Sequence, residues 1–146
     1  MNGEFMPDAC FFCDLLKNSH EDPTFIAEFE HSVAFLNYEQ EAYPGASILI
    51  FKDHYDHLHL APLALQKDVV VEMTELTAAI LKAFGGFRAN HMSLGNSVSH
   101  LHWHVIPRYP NDLNSGGMPD YLLDEKRLSD DAFRARAKVI LNVLEN

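Results

Sequence analysis

The chain has 146 residues, of which 47% are hydrophobic and 22% charged, so it fits one globular domain with a substantial buried core. Its formal net charge of −10 argues against a general nucleic-acid-binding surface, because such surfaces are basic. No apolar run is long enough to span a membrane, and residues 1–7 lack the basic start and apolar middle of a signal peptide. We therefore expect one cytoplasmic domain over residues 1–146, with no membrane or nucleic-acid partner and with residues 1–7 as a flexible tail.

The two cysteines lie near the N terminus, in the segment CFFC at residues 10–13. We expect one or two helical turns here, which would put Cys10 and Cys13 on one helix face. One interpretation is a pair of small buried hydrophobic residues, which is how free cysteine often behaves. The other is half of a zinc site, because the C-x2-C spacing lets two thiolates bind one tetrahedral ion. The pair alone does not decide between them.

Three short strands are predicted in the first third of the chain. Residues 24–28 and 32–36 are runs of strand length and composition, with Glu30 and His31 at the turn between them. Pro44 and Gly45 are a strong turn signal, and a mostly apolar third strand follows at residues 46–51. Together these segments predict an antiparallel meander.

Two amphipathic helices are predicted. The first covers residues 62–84, where apolar residues recur at steps of three or four, and the two glycines that follow end it. The second begins at Ser129, a good N-cap residue, after which a similar apolar stripe runs to Leu144. The expected buried stripes are Val69, Met73, Leu76, Ile80 and Phe84 in the first helix, and Phe133, Ala137, Ile140 and Leu144 in the second.

The rest of the chain supplies two more strands. Residues 87–94 predict a fourth strand, 95–99 a tight polar turn and 100–106 a fifth strand, while 108–128 are expected to form an irregular loop before the C-terminal helix. The fold class is therefore α+β: an antiparallel sheet of about five strands with one long central helix and a C-terminal helix.

The fifth strand carries three histidines at strict alternation: His100, His102 and His104. Side chains alternate between the faces of a strand, so these three would share one face at intervals of roughly 6.5–7 Å. The interleaved apolar residues would pack into the core on the other face. Two chemistries suit such a face: joint binding of a transition metal, or one imidazole acting as a nucleophile while the others orient it.

The sequence around these histidines resembles the signature of the histidine-triad (HIT) family. That signature is His-φ-His-φ-His-φ-φ, preceded by a Gly-[Gln/Asn]-[Ser/Thr]-Val run, and residues 95–107 read GNSVSHLHWHVIP. Upstream, VAFLN at 33–37, YPG at 43–45 and ILI at 48–50 resemble the nucleotide-facing strands of the family. The resemblance covers most of residues 24–107.

The resemblance implies a HIT-type fold and a nucleotide hydrolase or nucleotidyl transferase that attacks an α-phosphate. His102 would be the nucleophile and would become a transient nucleotidyl-histidine, which water then releases as a nucleoside monophosphate. The substrates implied are dinucleoside polyphosphates or nucleoside phosphoramidates, with a purine nucleotide as the expected ligand. The implied supporting residues are His104 orienting the nucleophile, His100 beside the phosphates, Asn96 and Ser97 holding phosphate oxygens, and Asn37 contacting the ribose.

The resemblance also implies a structural zinc ion and a homodimer, with no organic cofactor. A zinc-carrying subset of the family has four ligands that match Cys10, Cys13, His54 and His100. The neighbouring His57 and His59 are expected to lie in a solvated loop. One departure is Ala46, which stands where the family often has a histidine, so one supporting polar group is missing.

Two other functions stay open from the sequence. One is a nucleotide-binding regulatory module with little turnover, and the other is a metalloenzyme that uses all three triad histidines as ligands. The regulatory module would bind nucleoside monophosphate without turnover. The metalloenzyme would lose its activity with a chelator.

Overall fold

A computed structural model of the chain describes residues 9–120 and 128–146. These residues form a five-stranded sheet, three α-helices and short 3-10 turns at Ser19–Glu21 and Leu58–Leu60. The strands are β1 (Phe25–Glu28), β2 (Ser32–Leu36), β3 (Ser47–Phe51), β4 (Arg88–Met92) and β5 (His102–Arg108), and the helices are α1 (Phe11–Lys17), α2 (Leu63–Phe84) and α3 (Asp130–Leu144). The predicted α+β class, with a long central and a C-terminal helix, is confirmed.

The sheet has the order β1-β2-β3-β5-β4, and every neighbouring pair is antiparallel. The register aligns residues in rows across the sheet: Phe35 pairs with Ile48, which pairs with His104. The next row joins Val33, Ile50 and His102. These rows bring the histidines of β5 beside apolar residues of β2 and β3.

The two faces of the sheet pack against different helices. On one face, Leu49, Trp103 and Val105 join the buried stripes of α2 and α3 in the main core. On the other face, Phe35 and Ile50 pack against the residues of α1. The predicted alternation in β5 is confirmed by this division, because its odd-numbered apolar residues lie in the main core.

Helix α2 ends as its sequence predicts. Gly85 has φ +76°, a left-handed conformation that glycine adopts without a steric penalty, and its N–H donates to the carbonyl of Leu81 at 2.9 Å. The helix begins at Leu63 because Pro62, whose backbone is extended, occupies the N-cap position. In the described part of the chain, no helix combines the length and the hydropathy needed to cross a bilayer.

One buried arginine organises the loop after β5. The guanidinium of Arg108 makes two bonds to the carboxylate of Asp112, at 2.8 and 2.9 Å, and donates to the carbonyls of Asn114 and Gly117. Residues 109–120 of the predicted irregular loop are thus a series of turns held by these bonds, whereas Arg108 itself belongs to β5. The remainder of that loop, 121–127, and the predicted tail at 1–7 lie outside the described residues.

Candidate functional site

A cleft of about 540 Å³ lies on the face of the sheet that carries α1. Its floor contains Phe35 of β2 with Ile48 and Ile50 of β3, and one wall is formed by aromatic and aliphatic side chains of α1. The turn at residues 94–98 and the histidines of β5 close the other side. This volume falls in the range of small-ligand sites, which is roughly 300–1,000 Å³.

His102 lines the cleft, and the residue is only 6% exposed. Its Nδ1 is 2.6 Å from the carbonyl oxygen of His100. A carbonyl can only accept a hydrogen bond, so Nδ1 carries the proton and Nε2 keeps a lone pair. Burial lowers the pKa of His102, although the bond to His100 opposes this effect. The ring is therefore a neutral imidazole with a nucleophilic nitrogen at neutral pH.

His104 lines the cleft beside His102. The centroids of the two rings are 5.2 Å apart, and the rings are nearly perpendicular. Burial, with a smaller contribution from His102, lowers the pKa of His104 to about 4. His104 is consequently neutral at pH 7 and can offer an N–H without carrying a positive charge.

His100 does not share the cleft with the other two histidines. Its side chain is fully buried, with Nε2 2.7 Å from the carbonyl oxygen of Phe51 and Nδ1 directed at the two cysteines. The expectation that the strand begins at His100 is wrong, because β5 begins at His102. The cause lies in the neighbouring strand: β3 ends at Phe51, and Leu101 bonds both to Phe51 and to Tyr55 in the loop that follows.

The structure brings together Cys10, Cys13, His54 and His100, and their potential ligand atoms all lie within 4.8 Å of one another. Sγ of Cys13 is 3.4 Å from Nδ1 of both histidines, and Sγ of Cys10 is 3.4 Å from Nδ1 of His100. Cys10 is the N-cap of α1 rather than a helical residue, and its sulfur accepts from the backbone N–H of Cys13.

This cluster of four residues fits a tetrahedral metal ion. The bond from Nε2 of His100 to a carbonyl leaves the Nδ1 lone pair facing the sulfurs, and Nε2 of His54 is 3.4 Å from a carboxylate oxygen of Asp56. Burial and the neighbouring Cys10 raise the pKa of the Cys13 thiol to about 11. A thiolate at this position therefore needs a cation beside it, and zinc is the ion that Cys2His2 sets prefer.

The residues expected to hold the sugar and the phosphates line the same cleft. Asn37 follows β2, and its buried Nδ2 has no hydrogen-bond partner among the described residues. Asn96 and Ser97 lie in the turn before β5, which Gly95 begins with φ +66°. The cleft therefore has an unused amide donor at one place and exposed polar side chains at another.

Ala46, which stands where the family often has a histidine, lies in an apolar environment that does not suit a polar side chain. Its side chain is fully buried and packs with Tyr43 and Ile106. The hydroxyl of Tyr43 is directed at the loop after β5, where it donates to the carbonyl of Leu113 at 2.6 Å. This part of the sheet is thus closed by apolar packing.

Sequence analysis did not identify two groups that line the cleft. One is the apolar wall of α1, where the ring centroids of Phe12 and His102 are 4.9 Å apart in an edge-to-face contact. The other is a pair of carboxylates, Asp22 and Glu39. The position of this wall could have been predicted from the two phenylalanines between the cysteines. If Cys10 and Cys13 share a zinc site with His100, the rings between them must lie close to the triad histidines. Nothing in a single sequence shows that Asp22 borders the cleft.

A protein-family model and several known proteins match this chain. The HIT domain model matches residues 18–111. An uncharacterised HIT-like protein of Methanocaldococcus jannaschii is 29% identical over 111 residues, which are 70% of this chain and 81% of that protein. The solved structure of a hypothetical histidine triad nucleotide-binding protein from Sulfolobus tokodaii has a TM-score of 0.75 at 20% identity, covering 94% of this chain and 93% of its own.

A solved zinc-bound histidine triad family protein from Mycobacterium smegmatis has a TM-score of 0.70 at 19% identity, and 94% of each chain is covered. These likenesses at low identity support the fold. The domain match spans more than half of the chain and contains the histidines of the cleft. The chain therefore belongs to the histidine-triad family, within a superfamily of nucleotide-binding hydrolases and transferases.

Proposed function

We propose that the protein is a nucleotide hydrolase or nucleotidyl transferase that attacks an α-phosphate through a covalent intermediate on His102. The observation that carries this proposal is the bond from Nδ1 of His102 to the carbonyl of His100. It leaves Nε2 as the nucleophilic atom in a ring that lines the cleft. Candidate substrates are dinucleoside polyphosphates and nucleoside phosphoramidates.

In the first step, the lone pair of His102 Nε2 forms a bond to the α-phosphorus. The bond from phosphorus to the leaving group breaks, and the leaving group takes the electron pair. The positive charge that develops on the ring is stabilised by the carbonyl of His100, which accepts the Nδ1 proton's hydrogen bond. In the second step, the oxygen of a water molecule forms a bond to phosphorus and the electron pair of the P–N bond returns to Nε2. The proton that the water loses passes to solvent, and the nucleoside monophosphate leaves.

The residues around His102 position the substrate for these steps. Backbone N–H groups of the turn at 95–98, with the side chains of Asn96 and Ser97, would donate to the phosphoryl oxygens. The unused amide of Asn37 would bond a ribose hydroxyl. His104, neutral at pH 7, would orient the phosphoryl group through one N–H.

We further propose that the cluster of Cys10, Cys13, His54 and His100 holds a structural zinc ion. The donor set supports this assignment, and a family member from Mycobacterium smegmatis is described as zinc-bound. With four protein ligands the site would be closed, so zinc would supply cross-linking rather than catalysis. A metalloenzyme that uses all three triad histidines has less support, because His100 points away from the cleft.

We also propose a homodimer. Strand β4 lies at one edge of the sheet, and α2 exposes apolar side chains beside it.

The function is tested by a hydrolysis screen over nucleotide conjugates, with the products resolved by mass. We expect release of a nucleoside monophosphate from at least one conjugate. Rapid acid-free quenching with a labelled substrate should trap a phosphoramidate on the protein, and peptide mapping should place it on His102. Tight binding of nucleoside monophosphates without any turnover across the panel would favour the regulatory module instead.

A further inference from the structure

Two carboxylates line the cleft, and the proposed chemistry uses neither of them: Asp22 and Glu39. Asp22 lies just before β1, and its carbonyl accepts from the N–H of Phe25 in that strand. Strand β1 is at the edge of the sheet, three positions from β5. Three strand spacings amount to roughly 14 Å, so Asp22 lies on the side of the cleft far from the attacking histidine.

The space between Asp22 and the histidines is apolar. Phe35, Ile48 and Ile50 form the floor, and Phe12 and Leu15 of α1 pack in the same cluster. An apolar slot of this kind suits a flat aromatic ring. If the α-phosphate lies at His102 and the ribose at Asn37, the base of the nucleotide extends along the slot toward Asp22.

The carboxylate of Asp22 is held in place by one of its two oxygens. Oδ1 accepts from the backbone N–H of Thr24 at 2.8 Å and from the Thr24 hydroxyl at 2.5 Å. Oδ2 has no hydrogen-bond partner among the described residues, so about half of the four acceptor positions of the carboxylate are unused. The group is thus fixed by its turn and has an acceptor available to a ligand.

Glu39 has a different position in the cleft. It follows Asn37 by two residues, and its Oε1 accepts from the N–H groups of Glu41 and Ala42. This carboxylate therefore lies beside the residue proposed to contact the ribose, and it serves as a natural control for charge in the cleft.

The chemistry of a carboxylate distinguishes the purine bases. An ionised carboxylate only accepts hydrogen bonds. The Watson–Crick edge of guanine presents two adjacent donors, N1–H and the N2 amine, whereas adenine presents one amine beside the N1 lone pair, which a carboxylate repels. We propose that Asp22 determines base specificity and that the protein prefers guanine nucleotides and their conjugates. This proposal rests on the nucleotide-binding function proposed above.

The test is the affinity of the full-length protein for GMP, IMP and AMP, measured by calorimetry. We expect GMP to bind at least about tenfold more tightly than AMP, as one good pair of hydrogen bonds allows. IMP, which keeps N1–H but lacks the N2 amine, should fall between them.

Two matched variants assign the preference to a residue. Asp22→Asn keeps an oxygen that can accept from Thr24 but replaces the other, free oxygen by an amide NH2, which only donates. The ratio of the AMP to the GMP dissociation constant should therefore fall about tenfold, mainly through weaker GMP binding. Glu39→Gln removes a charge from the same cleft and should leave the ratio within about twofold of the wild-type value.

Each outcome is decisive. Equal affinity for GMP and AMP in the wild type would overturn the proposal, as would an unchanged ratio in Asp22→Asn or an equal loss of preference in Glu39→Gln. If GMP and AMP bind equally and a conjugate is hydrolysed, the proposed function stands without base selection. If none of the three nucleotides binds, the proposed function fails as well.

Discussion

The bond between His102 and the backbone of His100 explains why a neutral side chain can be the reacting group. A neutral imidazole has two interchangeable tautomers in water. Only the tautomer with its proton on Nδ1 has a lone pair on Nε2 with which to attack a substrate in the cleft. The carbonyl at 2.6 Å selects that tautomer before substrate binds. Burial by Phe12 and the sheet lowers the pKa, which keeps the nucleophile unprotonated near neutral pH.

Replacing His102 by Ala should reduce kcat by several orders of magnitude. Binding of nucleoside monophosphate should be largely intact, because the sugar, base and phosphate contacts come from other residues. The measurement is kcat on the best conjugate of the screen beside the dissociation constant of GMP. His104→Ala is the matched control. It should lower kcat less than His102→Ala does, because the proposed role of His104 is to orient the phosphoryl group. Substantial activity in His102→Ala would show that the triad is not a nucleophilic centre.

His104 makes the stability of the protein depend on pH. Its folded-state pKa of about 4 lies below the ordinary histidine value of 6.5, so the unfolded chain binds more protons between these values. Stability is therefore full above about pH 6.5 and decreases as the pH falls toward 4, by an amount on the order of 2 kcal/mol.

This pH dependence can be measured by urea unfolding at pH 7 and pH 4.5. His104→Gln should reduce the loss of stability between the two pH values, since glutamine does not titrate. His57→Gln, at an exposed position, is the control and should lose as much stability as the wild type. An identical pH slope in His104→Gln would contradict the assignment.

The sequence predicted which face of a strand each residue lies on better than it predicted which distant residues contact it. The alternation of His102 and His104 with Trp103 and Val105 was enough to separate the cleft face of β5 from its core face. It could not show that the strand stops before His100, because that boundary depends on where β3 ends and on a bond from Leu101 to Tyr55. Such partners lie about fifty residues away in the chain, and no local pattern encodes them.

At the scale of elements, α1 connects the cysteine–histidine cluster to the cleft. It has only seven residues, which is too short for stable helix formation alone. Its first turn carries Cys13, while Phe12 faces the rings of His100 and His102. A metal ion in the cluster would join the start of this helix to the loop after β3 and to the segment before β5. A metal ion bound there would therefore stabilise the wall of the cleft.

Purified protein should carry about one zinc per chain and should melt at a lower temperature after treatment with a chelator. Cys10→Ser combined with Cys13→Ser should remove the metal, because two neutral hydroxyls do not replace two thiolates. The control is His57→Gln with His59→Gln, two exposed histidines that stack on each other outside the cluster. Metal-free protein with an unchanged melting temperature would return the cysteines to the role of core residues.

The long elements were predictable from the sequence alone because each contains its own signal. Helix α2 has its buried stripe and its terminal glycine, and α3 has Ser129, whose hydroxyl accepts from the N–H of Ala132 at 3.2 Å. The role of α1 was not predictable in this way. It packs against residues of β2 and β3 that lie far away in the chain, and its cysteines meet histidines from two other distant segments.

At the scale of the molecule, α2 carries more apolar surface than one sheet can bury. Val70 and Val71 are 40% and 54% exposed, and Phe87, just before the edge strand β4, is 59% exposed. Val70 lies two turns before Thr77, whose hydroxyl is 2.8 Å from Nε2 of His91 in β4. Val70 therefore lies on the helix face next to the open strand edge, and the two features form one continuous surface.

This surface predicts a dimer in solution. A second copy would cover the apolar side chains of α2 and pair the backbone groups of the β4 edge, which are otherwise exposed to solvent. Sedimentation at micromolar concentration should give twice the monomer mass. Val70→Asp should shift the protein toward monomer, because a carboxylate would be buried in the interface without a partner. Val139→Asp, at a valine of similar exposure on α3, should leave the dimer intact. A monomeric wild-type protein at that concentration would rule out the association.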